Sequence, residues 1–242
     1  NTLHINTEEN RAYYMPCSDI ENARKLYASL YSAELTVTDK GTGAVTQELT
    51  FCYDQNDTLS YSYFGTDGNT KYYEYHNGAE FNYYSDGEWH TLVSGDQNYV
   101  CYNRTNKMSM TDEGMIFIKP DSVISSEVKQ TADGKTITMQ YDVSKLNSSM
   151  SSQLGLVGDL DSFSVVYYLD KDGYCTSMEQ TGTATKDGVR SKVDYLMEIS
   201  HMNDIASVEK PEVPDGTDNT GNTVSKKDET SSDKSSDGNR AQ

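Results

Sequence analysis

Hydrophobic and polar residues alternate along most of the chain between Leu35 and about residue 200. In each alternating stretch, every second residue is apolar or aromatic and the residues between are mostly polar, a period typical of strands with one buried and one solvated face. The stretches are Leu49-Phe51-Tyr53, Leu59-Tyr61-Tyr63, Tyr73-Tyr75, Phe81-Tyr83, Ile137-Met139-Tyr141-Val143, Phe163-Val165-Tyr167-Leu169 and Val193-Tyr195-Met197-Ile199. The pattern predicts a largely β protein.

Turn dipeptides separate these stretches. Asn-Gly and Asp-Gly pairs tolerate the positive φ angles of tight hairpins, so consecutive strands should be neighbours in an antiparallel sheet. The pairs are Asp67-Gly68, Asn77-Gly78, Asp86-Gly87, Asp133-Gly134, Asp172-Gly173 and Asp187-Gly188. We therefore expect one tyrosine-rich sheet of hairpins over residues 35 to 200.

Two segments carry helical spacing instead. Ser18 or Asp19 can cap a helix, and the apolar residues that follow recur three and four positions apart, which predicts a helix at 19 to 32. Residues 144 to 158 predict a short second helix, and residues 94 to 121 have a mixed, loop-like pattern. A one-faced sheet must bury its apolar face. We therefore expect an α+β, mainly β fold, in which both helices cover the concave face of a curved half-barrel.

Composition divides the chain into three parts. Residues 1 to 17 are polar and unpatterned, and we expect a loose N-terminal arm followed by a curved-sheet domain at 18 to 210. Residues 211 to 242 are almost entirely small polar or charged residues. Such a segment cannot offset the entropy of ordering, which predicts a disordered tail.

The charge balance is strongly acidic. Lysine and arginine number 20 against 38 aspartates and glutamates, a formal net charge of −18. This is the wrong sign for neutralising phosphates, so we expect no nucleic-acid partner. No internal stretch approaches the roughly 20 apolar residues of a membrane span, so we expect no transmembrane span. We expect a monomer whose core draws on the 19 tyrosines, because their rings are apolar.

Motifs that would identify a catalytic or metal site are missing from the sequence. It contains no Gly-x-Ser-x-Gly elbow, His-Glu-x-x-His helix or Gly-rich phosphate loop, and its histidines lack metal-ligand spacing. We therefore expect no enzymatic activity, no metal and no cofactor. A carboxylate pair for glycoside hydrolysis could come from Glu74, Glu80 and Glu88. However, Glu74 alternates with Tyr73 and Tyr75, so it should point to water.

The four cysteines leave two alternatives open. Cys17, Cys52, Cys101 and Cys175 are far apart in the sequence and form no CxxC pair. They could form disulfides in an exported protein or remain buried thiols, and the spacing does not choose between these.

The order of helix, aromatic hairpins and terminal strand is distinctive. A helix from Asp19 to Ser32 precedes the first strand, aromatic strands joined by Asn/Asp-Gly turns occupy 71 to 78 and 81 to 89, and a last strand and exit follow at 193 to 203. This order resembles the LolA/LppX-like lipoproteins of the bacterial cell envelope. The resemblance implies an exported, cell-surface domain tethered through an N-terminal lipid anchor. Its concave face would hold a lipid-like small molecule, hydrophobic or amphipathic, or another envelope protein.

The aromatic stripe could line such a ligand. The candidate lining residues are Tyr61, Tyr63, Tyr73, Tyr75, Tyr83 and Trp89. The same rings could instead simply fill the core under the helices, with Tyr72 and Tyr84 facing the other side. Because aromatic rings also stack on sugars, a cell-surface adhesive or carbohydrate-binding structural module is the alternative function.

Overall fold

The alternating stretches form the strands of one open, curved sheet in a computed structural model of the chain, which describes residues 8–118, 120–146 and 159–217. The strands are β1 (Ser32–Asp39), β2 (Val45–Tyr53), β3 (Leu59–Asp67), β4 (Thr70–His76), β5 (Glu80–Ser85), β6 (Glu88–Val93), β7 (Val123–Thr131), β8 (Gly134–Tyr141), β9 (Asp159–Asp170), β10 (Cys175–Lys186) and β11 (Val189–Ser200). Their order in the sheet is β6-β5-β4-β3-β2-β1-β11-β10-β9-β8-β7, and all neighbours are antiparallel. The fold class predicted from the sequence is confirmed.

The predicted turns are also confirmed, because each of the six dipeptides lies where two paired strands are connected. Asp67 is the last residue of β3, and Gly134 is the first residue of β8. Asp86 and Gly87, between β5 and β6, have φ angles of 55° and 84°. Asp187 and Gly188, between β10 and β11, have φ angles of 50° and 77°. Positive φ at both central residues is the type I′ geometry, whose twist matches that of the flanking strands.

The N-terminal helix is longer than predicted and ends earlier. Helix α1 spans Glu8–Ala28 instead of 19 to 32. Residues 8 to 17, which the composition placed in the N-terminal arm, are therefore helical. Between residues 18 and 28, where side chains are described, the predicted spacing identifies the buried residues of this helix, Ile20, Ala23 and Tyr27.

The connection between the two edge strands covers the concave face. Because β6 and β7 lie at opposite edges, residues 94–122, which we call the crossing segment, must traverse the sheet. The amide of Leu59 donates to the carbonyl of Tyr102 at 3.0 Å. Farther along, the hydroxyl of Tyr167 donates to the carbonyl of Ile116 at 3.3 Å. Both sheet residues belong to the face that α1 also covers, and the other face is the convex one.

The second helix lies within the crossing segment. Helix α2 spans Glu113–Ile116, inside the part predicted to be a loop. It contacts α1, and together the two helices cover the concave face. The predicted helix at 144 to 158 lies mostly outside the described residues, and only a short 3-10 turn at Val143–Lys145 is seen at its start.

Tyrosines fill the core beneath α1 and α2. The hydroxyl of Tyr27 donates to the carbonyl of Met110 at 2.7 Å. The ring of Tyr167 stacks on Phe117 with centroids 5.8 Å apart, and its hydroxyl lies 3.3 Å from that of Tyr141. Each ring buries apolar area while its hydroxyl keeps a hydrogen bond, as a buried tyrosine requires. Tyr27, Tyr141 and Tyr167 are therefore core residues.

One arginine of the crossing segment joins three parts of the fold. Arg104 donates to the carbonyl oxygens of Ala28 at 2.9 Å and Leu30 at 3.1 Å, where α1 ends. Its Nε donates to the Asp57 carboxylate at 2.7 Å, and its guanidinium lies 4.2 Å from the ring centroid of Tyr53. A planar guanidinium can make these contacts together, whereas an ammonium cannot.

Replacing Arg104 with Lys should therefore destabilise the protein. We expect a loss of about 2 kcal/mol in the free energy of unfolding, because two helix-end carbonyls lose charged donors. Urea denaturation followed by circular dichroism measures it. Arg190→Lys is the matched control: Arg190 makes an exposed 3.5 Å pair with Asp161, which should contribute little. Equal losses in both variants would contradict the proposed role of Arg104.

Candidate ligand-binding site

Turn length decides which tyrosines share a face. A two-residue turn joins Asp67 to its partner Thr70, so odd-numbered residues of β3 lie opposite even-numbered residues of β4. Tyr63 accordingly pairs with Glu74. Side chains alternate between the two faces of a strand. Even-numbered residues of β4 therefore lie on the same face of the sheet as odd-numbered residues of β3.

The six candidate lining residues are consequently divided between the two faces. The concave face carries Tyr61, Tyr63 and Tyr83, whereas the convex face carries Tyr73, Tyr75 and Trp89. The prediction that odd-numbered aromatic residues share one face is wrong for β4. Tyr72 lies on the concave face, contrary to prediction, while Tyr84 faces the convex side as expected.

The concave face of β3 to β6, which we call the concave wing, is built from two rows of paired residues. The first row is Tyr63, Glu74, Tyr83 and His90, and the second is Tyr61, His76, Phe81 and Leu92. Side chains paired in this way have Cβ atoms about 5 Å apart. His90 stacks on Tyr83 with ring centroids 5.1 Å apart. The wing is therefore a continuous aromatic surface with one carboxylate in its first row.

That carboxylate has an unusual environment. Glu74, predicted to point to water, lies on the concave wing, where its Oε2 accepts a hydrogen bond from the hydroxyl of Tyr61 at 3.0 Å. Burial raises the pKa of Glu74, and the hydrogen bond from Tyr61 only partly opposes this shift. Among the residues with described side chains, no lysine, arginine or histidine lies within ion-pair distance of Glu74.

Tyrosines surround Glu74. Burial and the charge of Glu74 raise the pKa of Tyr63 to about 12. The same two causes raise the pKa of Tyr102, whose ring centroid lies 5.9 Å from that of Tyr61. A charge can affect a pKa in this way only at short range in a poorly solvated site. Glu74 thus lies close to three tyrosines, one of them from the crossing segment.

His76 holds the crossing segment against the wing. Its Nδ1 accepts a hydrogen bond from the amide of Gly78 at 2.9 Å, and its Nε2 lies 3.0 Å from the carbonyl oxygen of Val100. The ring therefore carries its proton on Nε2 and is neutral. Burial lowers the pKa of His76, which favours this form. His76 is a positioning residue, since it has no free nitrogen to offer a ligand.

The concave wing is less filled than the rest of the concave face. Half-buried residues of the wing are Tyr63, Glu74, Phe81, Tyr83 and His90. Fully buried residues on β8 to β10 include Ile137, Met139, Val165, Tyr167 and Met178. The difference arises because α1 packs towards β7 and α2, leaving part of the wing accessible. The wing can therefore line a ligand, while the tyrosines beneath the helices are core residues.

The convex face of the same strands is covered by the end of the described chain. Residues 201–217, which we call the strap, lead away from β11 without regular secondary structure. The hydroxyl of Tyr75 donates to the carbonyl of Val208 at 3.4 Å, and Tyr73 on the same face is only 6% exposed. The strap continues past the predicted start of the tail, whereas residues 218–242 lie outside the described ranges.

Trp89 also belongs to this covered face. The Nζ of Lys210 lies 4.3 Å from the ring centroid of Trp89, a cation–π contact, and Tyr84 packs edge-on at 5.7 Å. A sugar that stacked on Trp89 would have to displace Lys210. Of the candidate lining residues, only Tyr61, Tyr63 and Tyr83 come together around Glu74.

A depression of about 490 Å³ lies elsewhere, at the ends of β8 to β10. Its rim includes Asp161, Ser162 and Ser164, all with partners in the protein. Asp161 accepts from Thr185 at 2.7 Å, Ser162 lies 3.1 Å from Thr183, and Ser164 donates to a main-chain carbonyl at 3.1 Å. The concave wing, with its unpaired carboxylate, is the better candidate for a ligand site.

Other candidate chemistry receives little support. Within the ranges that the structure describes, no group of histidine, cysteine and acidic residues could hold a metal ion. Cys52, Cys101 and Cys175 are free thiols. Over the same ranges, no helix combines the length and hydropathy required to cross a bilayer.

Comparison with known proteins identifies the fold. No protein-family model and no curated protein matches the sequence. The structure is similar to that of the Mycobacterium tuberculosis lipoprotein LppX, with a TM-score of 0.50 and 13% sequence identity over 81% of this chain and 99% of that one. LprF from Mycobacterium bovis matches with a TM-score of 0.49 and 10% identity, over 82% and 97% of the two chains. The chain therefore has the LolA/LppX-like fold that the order of its elements predicted.

Replacing Glu74 with Gln should stabilise the protein at neutral pH. Because the folded-state pKa lies above the usual 4.5, charged Glu74 penalises folding once the pH rises through that pKa, and the penalty is absent below the usual value. We expect the variant to melt a few degrees higher than the wild type near neutral pH and equally at about pH 4. Thermal unfolding at both pH values measures this, and a lower melting temperature at neutral pH would refute it.

Proposed function

We propose that the chain is the ligand-binding domain of an exported, cell-surface lipoprotein, and that it holds a hydrophobic or amphipathic ligand on the concave wing without catalysing a reaction. The observation that carries this proposal is the accessible aromatic surface of the wing. It lies on a face that is otherwise filled by protein side chains. The fold, shared with the lipoprotein LppX, agrees with this class of protein.

The chemistry of the wing favours an amphipathic ligand over a purely aliphatic one. Tyr63, Phe81 and Tyr83 offer ring faces, while tyrosine hydroxyls and Glu74 supply polar groups at fixed positions. Ligand sites in proteins commonly combine apolar lining with a few such polar groups. A long acyl chain alone would leave Glu74 desolvated without a partner, at a cost in free energy.

Two adjacent tyrosines allow a direct test of the site. Tyr83 and Tyr84 are both half-buried neighbours in β5, but Tyr83 faces the concave wing and Tyr84 faces the strap. Protein purified gently from its native cell envelope should carry a bound ligand in native mass spectrometry. Tyr83→Ala should lower the bound fraction several-fold because it removes a ring face from the site, while Tyr84→Ala should leave it unchanged.

Two results would reject the proposal. One is a ligand-free mass combined with an unchanged melting temperature across a panel of amphiphiles. The other is equal loss of ligand in Tyr83→Ala and Tyr84→Ala, which would show that ligand retention depends on general stability. A bound mass that proves to be a polypeptide would also overturn a small-ligand site and favour an envelope protein as the partner.

A further inference from the structure

The concave wing contains a carboxyl group with no counter-ion among the described side chains. Glu74 accepts one hydrogen bond, from the neutral hydroxyl of Tyr61 at 3.0 Å. Charges this poorly solvated are normally paired, because an unpaired charge outside water is unfavourable in free energy. Other partly buried carboxylates of the protein are paired: Glu113, for example, binds both Arg24 at 3.3 Å and Lys107.

The rings around Glu74 are of the type that binds cations. Tyr61 and Tyr102 lie with centroids 5.9 Å apart and ring planes inclined at 55°. Tyr63 and Tyr83 lie directly opposite Glu74 on the neighbouring strands. The electron-rich face of a tyrosine attracts an ammonium group, and several such faces beside a carboxylate form a cage for organic cations.

We propose that the concave wing binds the positively charged ammonium head of an amphipathic ligand, with Glu74 as its counter-ion and the half-buried rings of Tyr63, Tyr83 and Tyr102 around it. This inference rests on the proposed function and names its ligand class. An ammonium group would supply the charge partner that the protein lacks there. An anionic head would be repelled by Glu74 and by the net charge of −18.

The alternative is that Glu74 is a neutral acid with a purely structural role. A structural acid would stabilise the fold and show no preference among ligands. If Glu74 is instead the counter-ion of a cation site, removing its charge should raise the stability of the protein and abolish its preference for cationic ligands. Such an exchange of stability for function is common at binding sites.

Three probes that share a decyl chain but differ in the charge of the head group distinguish these two hypotheses. We suggest isothermal titration calorimetry with decyltrimethylammonium, decyl sulfate and decyl maltoside, each below its micelle-forming concentration. The wild type should bind the cationic probe at least about 10-fold more tightly than the sulfate, which corresponds to about 1.4 kcal/mol. Glu74→Gln should reduce the affinity for the cation to that for the maltoside. Glu48→Gln, which removes the same charge from an exposed position on the convex side of β2, should retain the preference.

Any other outcome refutes the cation site, the proposed function or the role of Glu74. Equal affinity of the wild type for all three probes would refute the cation site while leaving an amphiphile site standing. No binding of any probe would reject both the cation site and the proposed function. A preference that survives in Glu74→Gln, or disappears equally in Glu48→Gln, would show that net charge and not Glu74 selects the cation.

Discussion

The apolar face of an open sheet must be shielded from water. In this protein, the crossing segment, which connects the two edge strands, covers that face. The crossing segment leaves β6 at one edge and reaches β7 at the other, so it must pass over the concave side. Its main-chain carbonyls accept hydrogen bonds from Tyr27 and Tyr167, which allows tyrosines to serve as core residues. Arg104 and His76 fix the same segment to the end of α1 and to β4. The concave wing is the part of this face that the cover leaves accessible.

Much of the architecture could be predicted because it is encoded locally. Alternation and Asp-Gly or Asn-Gly turns specify strands and their antiparallel neighbours. The alternation is weak in β10, where the positions facing the core include Gln180 and Gly182. Gly182 is required by close packing, since a side chain there would lie 2.1 Å from the carbonyl oxygen of Ser162. Such a position carries no hydrophobic signal, although it lies in the core.

The register between neighbouring strands determines which residues form the candidate site. Hydrophobic alternation alone does not reveal that register. Because the turn between Asp67 and Thr70 has two residues, even-numbered residues of β4 lie on the same face as odd-numbered residues of β3. Counting the residues of that turn would have placed Glu74 on the concave side. The strap had no comparable signal. Lys210 and Val208 lie in a polar segment, and their contacts with β6 and β4 join residues more than a hundred positions apart. Contacts of this kind are fixed by tertiary packing and not by local pattern.

The pairing of β1 with β11 has a consequence for biosynthesis. The first and last strands of the sheet are neighbours, so the two halves of the sheet meet only at its centre. While the chain is being synthesised, β1 remains an unpaired edge until residues near Ser200 emerge, although β1 to β6 already form a series of local hairpins. Unpaired edges readily bind other strands, and late long-range pairing slows folding. Aggregation during synthesis is therefore a risk that ends only when the last strand enters the centre of the sheet.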